Sequence, residues 1–409
     1  MLLTRATEYA LLSLETISRA DKPMGAEQLA TQLSIPKSFL AKILQSLAKQ
    51  GILESRKGAY GGFVLTKDIH DITINGYGCQ YLTTKCFDRI ECYNANYGPE
   101  VTARLEEMVK KVEQDKFVHG GKIEPLILIT DLNLTTKEGN WIEKEAVRVG
   151  AKLQLLDHHA TGRSAAERFA WYKLDTSKCA TLITYEWLQQ HYGFDKENEY
   201  APIVKAINAI DIWKSEDELF EYGKVMLGMI SGAREINRIL FPAEDRAFKL
   251  SLIEAAKERM DNENAPIVLD DDLHQIKKAF FRQEANNTKD NLVAFFVTEL
   301  LTKDKQRLTI HYKGYKGILG YNVGNTSIIG NTCMVNNPDY DFYMDVNFRG
   351  HFSLRSNNKL DVSEMAARIG NGGGHPNASG GKIDGYKDSF VYANVRKFIQ
   401  DYIDERSSL

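Results

Sequence analysis

Cysteine is scarce in this chain and odd in number. Five cysteines among 409 residues cannot all pair, and a chain this long can build its core without staples, so a disulfide framework is not expected. No stretch comes near the roughly 18 consecutive apolar residues that a membrane-spanning helix needs. A secretory leader is not expected either, because Arg5 and Glu8 interrupt the amino end and helical periodicity begins at once. These absences lead to the expectation of a cytoplasmic protein with no membrane partner. An excess of either charge is also missing. The net charge of −3 excludes a molecule that binds nucleic acid through its overall field, so any basic surface has to be local. The content of 43% hydrophobic and 26% charged residues is ordinary for a globular protein. A length of 409 residues exceeds one compact core, and two to four domains are expected.

The local basic surface lies at the amino end. Residues 1–72 hold 9 Lys and Arg against 7 Asp and Glu, while the remainder is acidic. Residues 4–19 alternate apolar and polar with helical spacing, and 25–33 form a short second helix. Ser34-Ile35-Pro36 breaks the pattern with a proline suited to the first turn of the next helix. Leu40, Ile43, Leu44 and Leu47 then fall at i, i+3, i+4 and i+7, the buried face of a third helix. Its outer face carries Lys37, Ser38, Lys42, Gln45 and Lys49, and Gly51 ends it. Two helices joined by a tight turn, the second basic outside, read as helix-turn-helix. Residues 52–55 and 62–65 come next as two strands. Between them, Arg56-Lys57-Gly58-Ala59-Tyr60-Gly61 forms a basic wing able to reach phosphates or a minor groove.

The order of helix, wing and Gly61-Gly62-Phe63 resembles the Rrf-two family of bacterial winged-helix repressors over about the first 70 residues. That resemblance implies a homodimer on double-stranded DNA, the third helix in the major groove and the wing at the minor groove. Lys37, Ser38, Lys42, Arg56 and Lys57 are the candidate DNA contacts. The alternative is a winged helix used for protein contacts alone. The family's usual continuation, a long dimerisation helix, is missing. Cys79, Cys86 and Cys92 have a spacing that could hold an iron–sulfur cluster. The preferred reading makes them small buried hydrophobes instead, because Gly76 to Leu82 reads as the first helix of a new domain.

The middle of the chain alternates strand and helix from about residue 69, an α/β layer architecture. One apolar run, 153–156, ends in Asp157-His158-His159, and another, 125–130, ends in Asp131. Short apolar runs that stop at polar ligands read as buried strands, and ligands of open α/β sheets bind at such carboxyl ends. Two neighbouring ends bearing carboxylates and imidazoles suit a divalent metal. For Asp131 alone, a polar residue closing a strand would be the simpler reading. A helix over 179–192, opened by Ser177 and closed by Gly193, precedes another over 201–210 that runs into Asp211.

The order Asp131, Asp157-His158-His159, Asp211 resembles the DHH phosphoesterase superfamily, which implies a two-metal hydrolase of phosphodiesters, usually with manganese. Carried over by position, Asp131 would bridge the metals, and His158 and Asp211 would ligate one of them. Asp157 would support His158, and His159 would face substrate phosphate. These last two are the catalytic candidates. Near the carboxyl end, Arg349, then residues 352–356, then a Gly-rich loop over 372–381 resemble the DHH-associated domain of subtype one. Glycines let backbone approach an anion closely. Arg355 and His375, with Gly373 and Gly374, are the candidate grip on the phosphate of a nucleotide or short oligonucleotide. The expected domains are a winged helix over 1–68, a phosphoesterase-like parallel α/β domain over 69–240, a helical connector over 241–304 and a smaller α/β domain over 305–409.

The superfamily's first motif, His-x-Asp-x-Asp-Gly, is broken here. Counting back from Gly76 places Asn75, Thr73 and Asp71 where the resemblance calls for Asp, Asp and His. His70 is one residue out of register and on a strand would face the other way. Manganese therefore meets an incomplete site. The sequence leads to a DNA-binding regulator whose body binds a nucleotide-like ligand, with an active manganese-dependent phosphodiesterase carrying a winged-helix appendage as the alternative.

Overall fold

The computed structural model describes residues 5–18, 24–49, 53–56, 62–65, 74–118, 124–282 and 286–407. Contacts within the chain separate two units, residues 1–72 with 95–97, and residues 73–94 with 98–409.

In the first unit, α1 (Arg5–Ser18), α2 (Ala26–Leu33) and α3 (Lys37–Lys49) precede β1 (Leu53–Arg56) and β2 (Gly62–Leu65). The i, i+3, i+4, i+7 residues behave as their spacing requires. Leu40, Leu44 and Leu47 are buried with Ile17, Leu29 and Ile35 in one cluster. Ser34 adopts a left-handed φ of 55° and caps α2 through its backbone N–H, which makes the turn between α2 and α3 tight. Strands β1 and β2 pair antiparallel, Arg56 opposite Gly62. The wing tip over 57–61, and with it Lys57, lies outside the described residues.

The second unit opens with α4 (Ile74–Cys86) and α5 (Pro99–Val118). Asn75 and Gly76 fall in the first turn of α4; Asp71 and Thr73 lie outside the described residues. Tyr77 fixes α4 to α11 (Pro242–Lys257). Its hydroxyl donates to Asp245 at 2.9 Å, and the Lys249 ammonium reaches both at 3.0–3.1 Å. Burial, aided by the Asp245 charge, holds the Tyr77 hydroxyl well above its usual pKa. The layer beneath is a three-stranded parallel sheet of β3 (Leu126–Thr130), β4 (Lys152–Asp157) and β5 (Tyr172–Leu174), with β4 central. Helix α6 (Thr136–Val149) crosses from β3 to β4 behind a Thr135–Glu138 capping box. After a short α7 (Arg163–Ala166) and β5 come α8 (Ala180–Tyr192), α9 (Ala201–Asp211) and α10 (Phe220–Ser231). Helix α8 begins later than expected. Its cap is Cys179, whose sulfur accepts from Leu182 N–H, and Ser177 instead closes a turn on Asp175.

Helices α11, α12 (Ala265–Phe281) and α13 (Lys289–Lys303) pack in series from α4 toward the last lobe, where α13 lies on α15 (Thr326–Asn336). That lobe begins with α14 (Lys305–Leu308) and is built on six strands. They are β6 (Thr309–Tyr312), β7 (Tyr315–Tyr321), β8 (Phe342–Val346), β9 (His351–Ser356), β10 (Gly373–His375) and β11 (Ala378–Lys382), in the spatial order β10-β11-β9-β8-β7-β6. Within this sheet only β7 and β8 pair parallel, joined through α15; α16 (Val362–Gly370) and α17 (Tyr392–Ser407) complete the lobe. The expected Gly-rich loop over 372–381 is instead a hairpin, β10 against β11, turning at Pro376-Asn377. The glycines serve close strand approach. A Cβ on Gly372 would stand 2.1 Å from Gly380 O, and Gly374 has a φ of +147°.

Asp345 on β8 is buried, accepting from Val323 N–H at 3.2 Å. Burial raises its pKa from 3.8 to about 7. A raised carboxyl stabilises the fold fully below its unfolded pKa of about 4 and loses that contribution as pH climbs through about 7. Asp345→Asn keeps the acceptor and removes the titration. It should unfold at a similar denaturant concentration to wild type at pH 4 but be more stable at pH 8, by up to about 4 kcal/mol.

Candidate metal and phosphate site

Parallel pairing brings the two expected strand ends together. Thr130 is in register with Leu156, and Asp131 N–H donates to Leu156 O at 3.0 Å, so both chains leave the sheet at the same level. Asp131 then turns in the left-handed region, φ 58°, which Asp tolerates better than most residues. His158 Nε2 lies 3.3 Å from Asp131 Oδ1 and 3.6 Å from Asp211 Oδ2, the latter delivered by the last turn of α9. Ligand atoms of Asp131, His158 and His159 all lie within 4.8 Å of one another, the one such group found among the described residues.

Asp157, expected beneath His158, is bonded to His159. The His159 Nδ1 to Asp157 Oδ1 distance is 2.6 Å, and the Tyr172 hydroxyl donates to Asp157 Oδ2 at 2.6 Å. Asp157 is fully buried. Burial alone would raise its pKa, but bonds from His159 and Tyr172 hold it below the usual carboxylate range. Burial likewise opposes charge on His159, yet the Asp157 bond and charge lift its pKa above the ordinary imidazole value. The Asp157 bond at Nδ1 leaves Nε2 as the ring's second nitrogen, the one not bonded to Asp157. Tyr172 carried no signal in the sequence beyond opening a short strand. Its room comes from Gly162, where a Cβ would stand 1.9 Å from the Tyr172 hydroxyl.

The donor set fits a divalent cation. Burial and then the charge of Asp131 push Asp211 up to about 6, and a cation between the two carboxylates would relieve that repulsion. Mixed carboxylate and imidazole donors suit manganese and its neighbours in the first transition row. Cys79, on α4, is buried beside this charge; burial first and Asp131 second push its thiol up to about 12. Its sulfur accepts from Thr184, inside the second unit's core. Among the described residues, Cys79, Cys86 and Cys92 form no converging ligand group.

On the last lobe, register places His375 opposite Ala378 and Ala378 opposite Arg355, so all three share one sheet face. His375, Gly373 and Gly374 are exposed. The Arg355 guanidinium donates to Leu354 O at 2.8 Å and to Ser327 Oγ at 2.7 Å. In the first unit Lys37, Ser38 and Lys42 are exposed on α3, with Lys37 paired to Glu27 at 2.8 Å. An exposed pair of that kind is worth roughly 0–1 kcal/mol and does not bar Lys37 from a phosphate. Arg56 closes β1.

The geometry is that of a converging carboxylate–imidazole group at the ends of parallel strands, in a chain that also carries a winged helix-turn-helix. Comparison with known proteins agrees. The family model Rrf2, described as an iron-dependent transcriptional regulator and corresponding to the Rrf-two family, matches residues 3–112, further than the seventy residues of the motif; a DHHA1 domain model matches 335–405. A 3′,5′-cyclic-nucleotide phosphodiesterase of Helicobacter pylori is 41% identical over 339 residues, covering 81% of this chain and 96% of that protein. The oligoribonuclease NrnB of Bacillus subtilis is 24% identical over 76% of this chain and 71% of its own length. A putative HTH-type transcriptional regulator of Aquifex aeolicus is 31% identical over 33% of this chain and 96% of its own length. A crystal structure of an uncharacterized Helicobacter pylori protein superposes with a TM-score of 0.75 at 40% identity, covering 82% of this chain and 97% of that one. The chain belongs to the DHH phosphodiesterase family of the Helicobacter protein, with an Rrf2 domain at its amino end and a DHHA1 domain at its carboxyl end.

If Asp131 ligates a cation, Asp131→Asn should weaken manganese binding by about 100-fold or more in calorimetric titration, beyond the 10–100-fold typical of outer-shell changes. Asp175→Asn, beyond the end of β5, serves as the control and should leave it unchanged.

Proposed function

We propose that the protein is a DNA-binding regulator whose phosphoesterase-type body binds a nucleotide-like ligand and turns it over poorly. The observation that carries this reading is the first motif: Asp71, Thr73 and Asn75 stand where the superfamily's His, Asp and Asp would provide metal ligands. Asn and Thr offer neutral oxygens in place of carboxylates, which divalent cations bind more weakly. Two bound cations would neutralise phosphoryl charge and activate water. The residues left for them are Asp131, His158 and Asp211, with His159 beside them, enough for one ion. His159, braced by Asp157, faces the phosphate, and Arg355, Gly373, Gly374 and His375 take a second anionic or polar group of the ligand. The head reads double-stranded DNA as a homodimer through Lys37, Ser38 and Lys42 on α3, with Arg56 and Lys57 on phosphates at the wing.

A second reading, a working manganese phosphodiesterase with a DNA-binding appendage, is favoured by the phosphodiesterase activity for which the Helicobacter relative is named and by the convergence of Asp131, His158 and Asp211.

Hydrolysis of 3′,5′-cyclic AMP and of a dinucleotide by the full chain with excess manganese separates the two. Turnover should fall well below roughly 1 s⁻¹, and the triple change Asp71→His, Thr73→Asp, Asn75→Asp should raise manganese affinity. Ordinary turnover in wild type, abolished by His158→Ala, would instead establish the second reading. For the head, Arg56→Ala with Lys57→Ala should weaken binding to every duplex sequence and reduce the salt slope by about 0.9 for each phosphate no longer neutralised; an unchanged slope would remove the wing from DNA binding.

A further inference from the structure

We propose that Trp213 is the nucleobase-stacking platform of the site, a role that rests on the reading of its ligand as a nucleotide. Trp213 lies two residues beyond Asp211, just past the end of α9. The residue is 63% exposed, which among the described aromatic residues of the body only Phe117 exceeds. Its backbone is left-handed, φ 54°, and it is the only aromatic among the described non-glycine residues with positive φ, most of which are Asn or Asp.

The position explains the conformation but not the residue. Trp213 N–H donates to Ile210 O and Lys214 N–H to Ala209 O, the paired bonds that close a helix through a left-handed residue. That position is filled by glycine in most helices, because a side chain is strained there. Here it carries the bulkiest side chain of all and holds it largely in water. Closing the helix requires neither the bulk nor the exposure. Strained residues of this kind concentrate at functional sites.

The ring is nonetheless held in place. It meets Phe220 edge to face, centroids 5.2 Å apart and planes at 84°. Phe220 is itself anchored in the cluster with Ala209 and Ile210, and Lys224 sits 5.9 Å over its ring. An exposed indole packed on Phe220 and two residues from Asp211 matches the chemistry of a base, whose flat face stacks on aromatic rings regardless of its hydrogen-bonding edge. Stacking of this kind selects nucleotides over sugar phosphates and is tolerant among bases.

The test is calorimetric titration of the full chain with AMP and with ribose 5-phosphate. Trp213→Gly should bind AMP about tenfold more weakly than wild type, bind ribose 5-phosphate as wild type does, and melt at the same temperature or higher, because glycine suits the left-handed position. Trp213→Phe should restore most of the AMP affinity and lower the melting temperature relative to the glycine variant. If wild type binds AMP and Trp213→Gly binds it equally well, the platform is overturned and the nucleotide-binding reading stands. If wild type binds neither compound, that reading fails and the platform with it.

Discussion

The parallel pairing of β3 with β4 is the constraint on which the site depends. Because side chains alternate along a strand, a slip of one residue would turn every ligand to the wrong face. Register holds Thr130 level with Leu156, and the extra bond from Asp131 N–H to Leu156 O carries that level one residue past the strand. Asp131 and the Asp157-His158-His159 run are thus aligned by backbone bonds. Asp157 then converts position into orientation. Fully buried, it accepts from Tyr172 and bonds His159, and each interaction favours its charged form. A buried carboxylate with two close partners is tolerable; without them it would be costly.

Around that centre the chain joins two kinds of recognition. The head offers a helix with exposed Lys37, Ser38 and Lys42. The body offers clustered carboxylates and imidazoles, and a hairpin that puts His375 and Arg355 on one face. On the proposed reading, the altered first motif leaves the body a framework for holding anions without the full set of carboxylates that a second cation would need. A ligand that binds one state of the body better than another can shift a regulator only by that difference in affinity, so a slowly hydrolysed ligand suits a sensor better than a fast substrate does.

Much of this was legible from the residues, and the parts that were not share a cause. Strand ends announced themselves because apolar runs stopped abruptly at Asp131 and Asp157. The third helix of the head was visible in the spacing of Leu40, Ile43, Leu44 and Leu47. Local pattern failed where the deciding partner was distant in sequence. The cap of α8 is Cys179 rather than Ser177, whose hydroxyl is taken by Asp175. Residues 372–381 read as an anion loop from their glycines, yet those glycines answer to close packing between β10 and β11. Tyr172 was invisible because its partner, Asp157, lies 15 residues away and the space it fills is left by Gly162. Trp213 looked like any aromatic after a helix; only its dihedral and exposure distinguish it.

On the proposed reading the site holds one metal ion where the superfamily's motif calls for two. Electron paramagnetic resonance of the full chain saturated with manganese measures this directly. The spectrum should show the hyperfine pattern of magnetically isolated ions, and changing His158 to Ala should abolish it. Exchange-coupled manganese pairs in the wild-type chain would contradict a one-metal site.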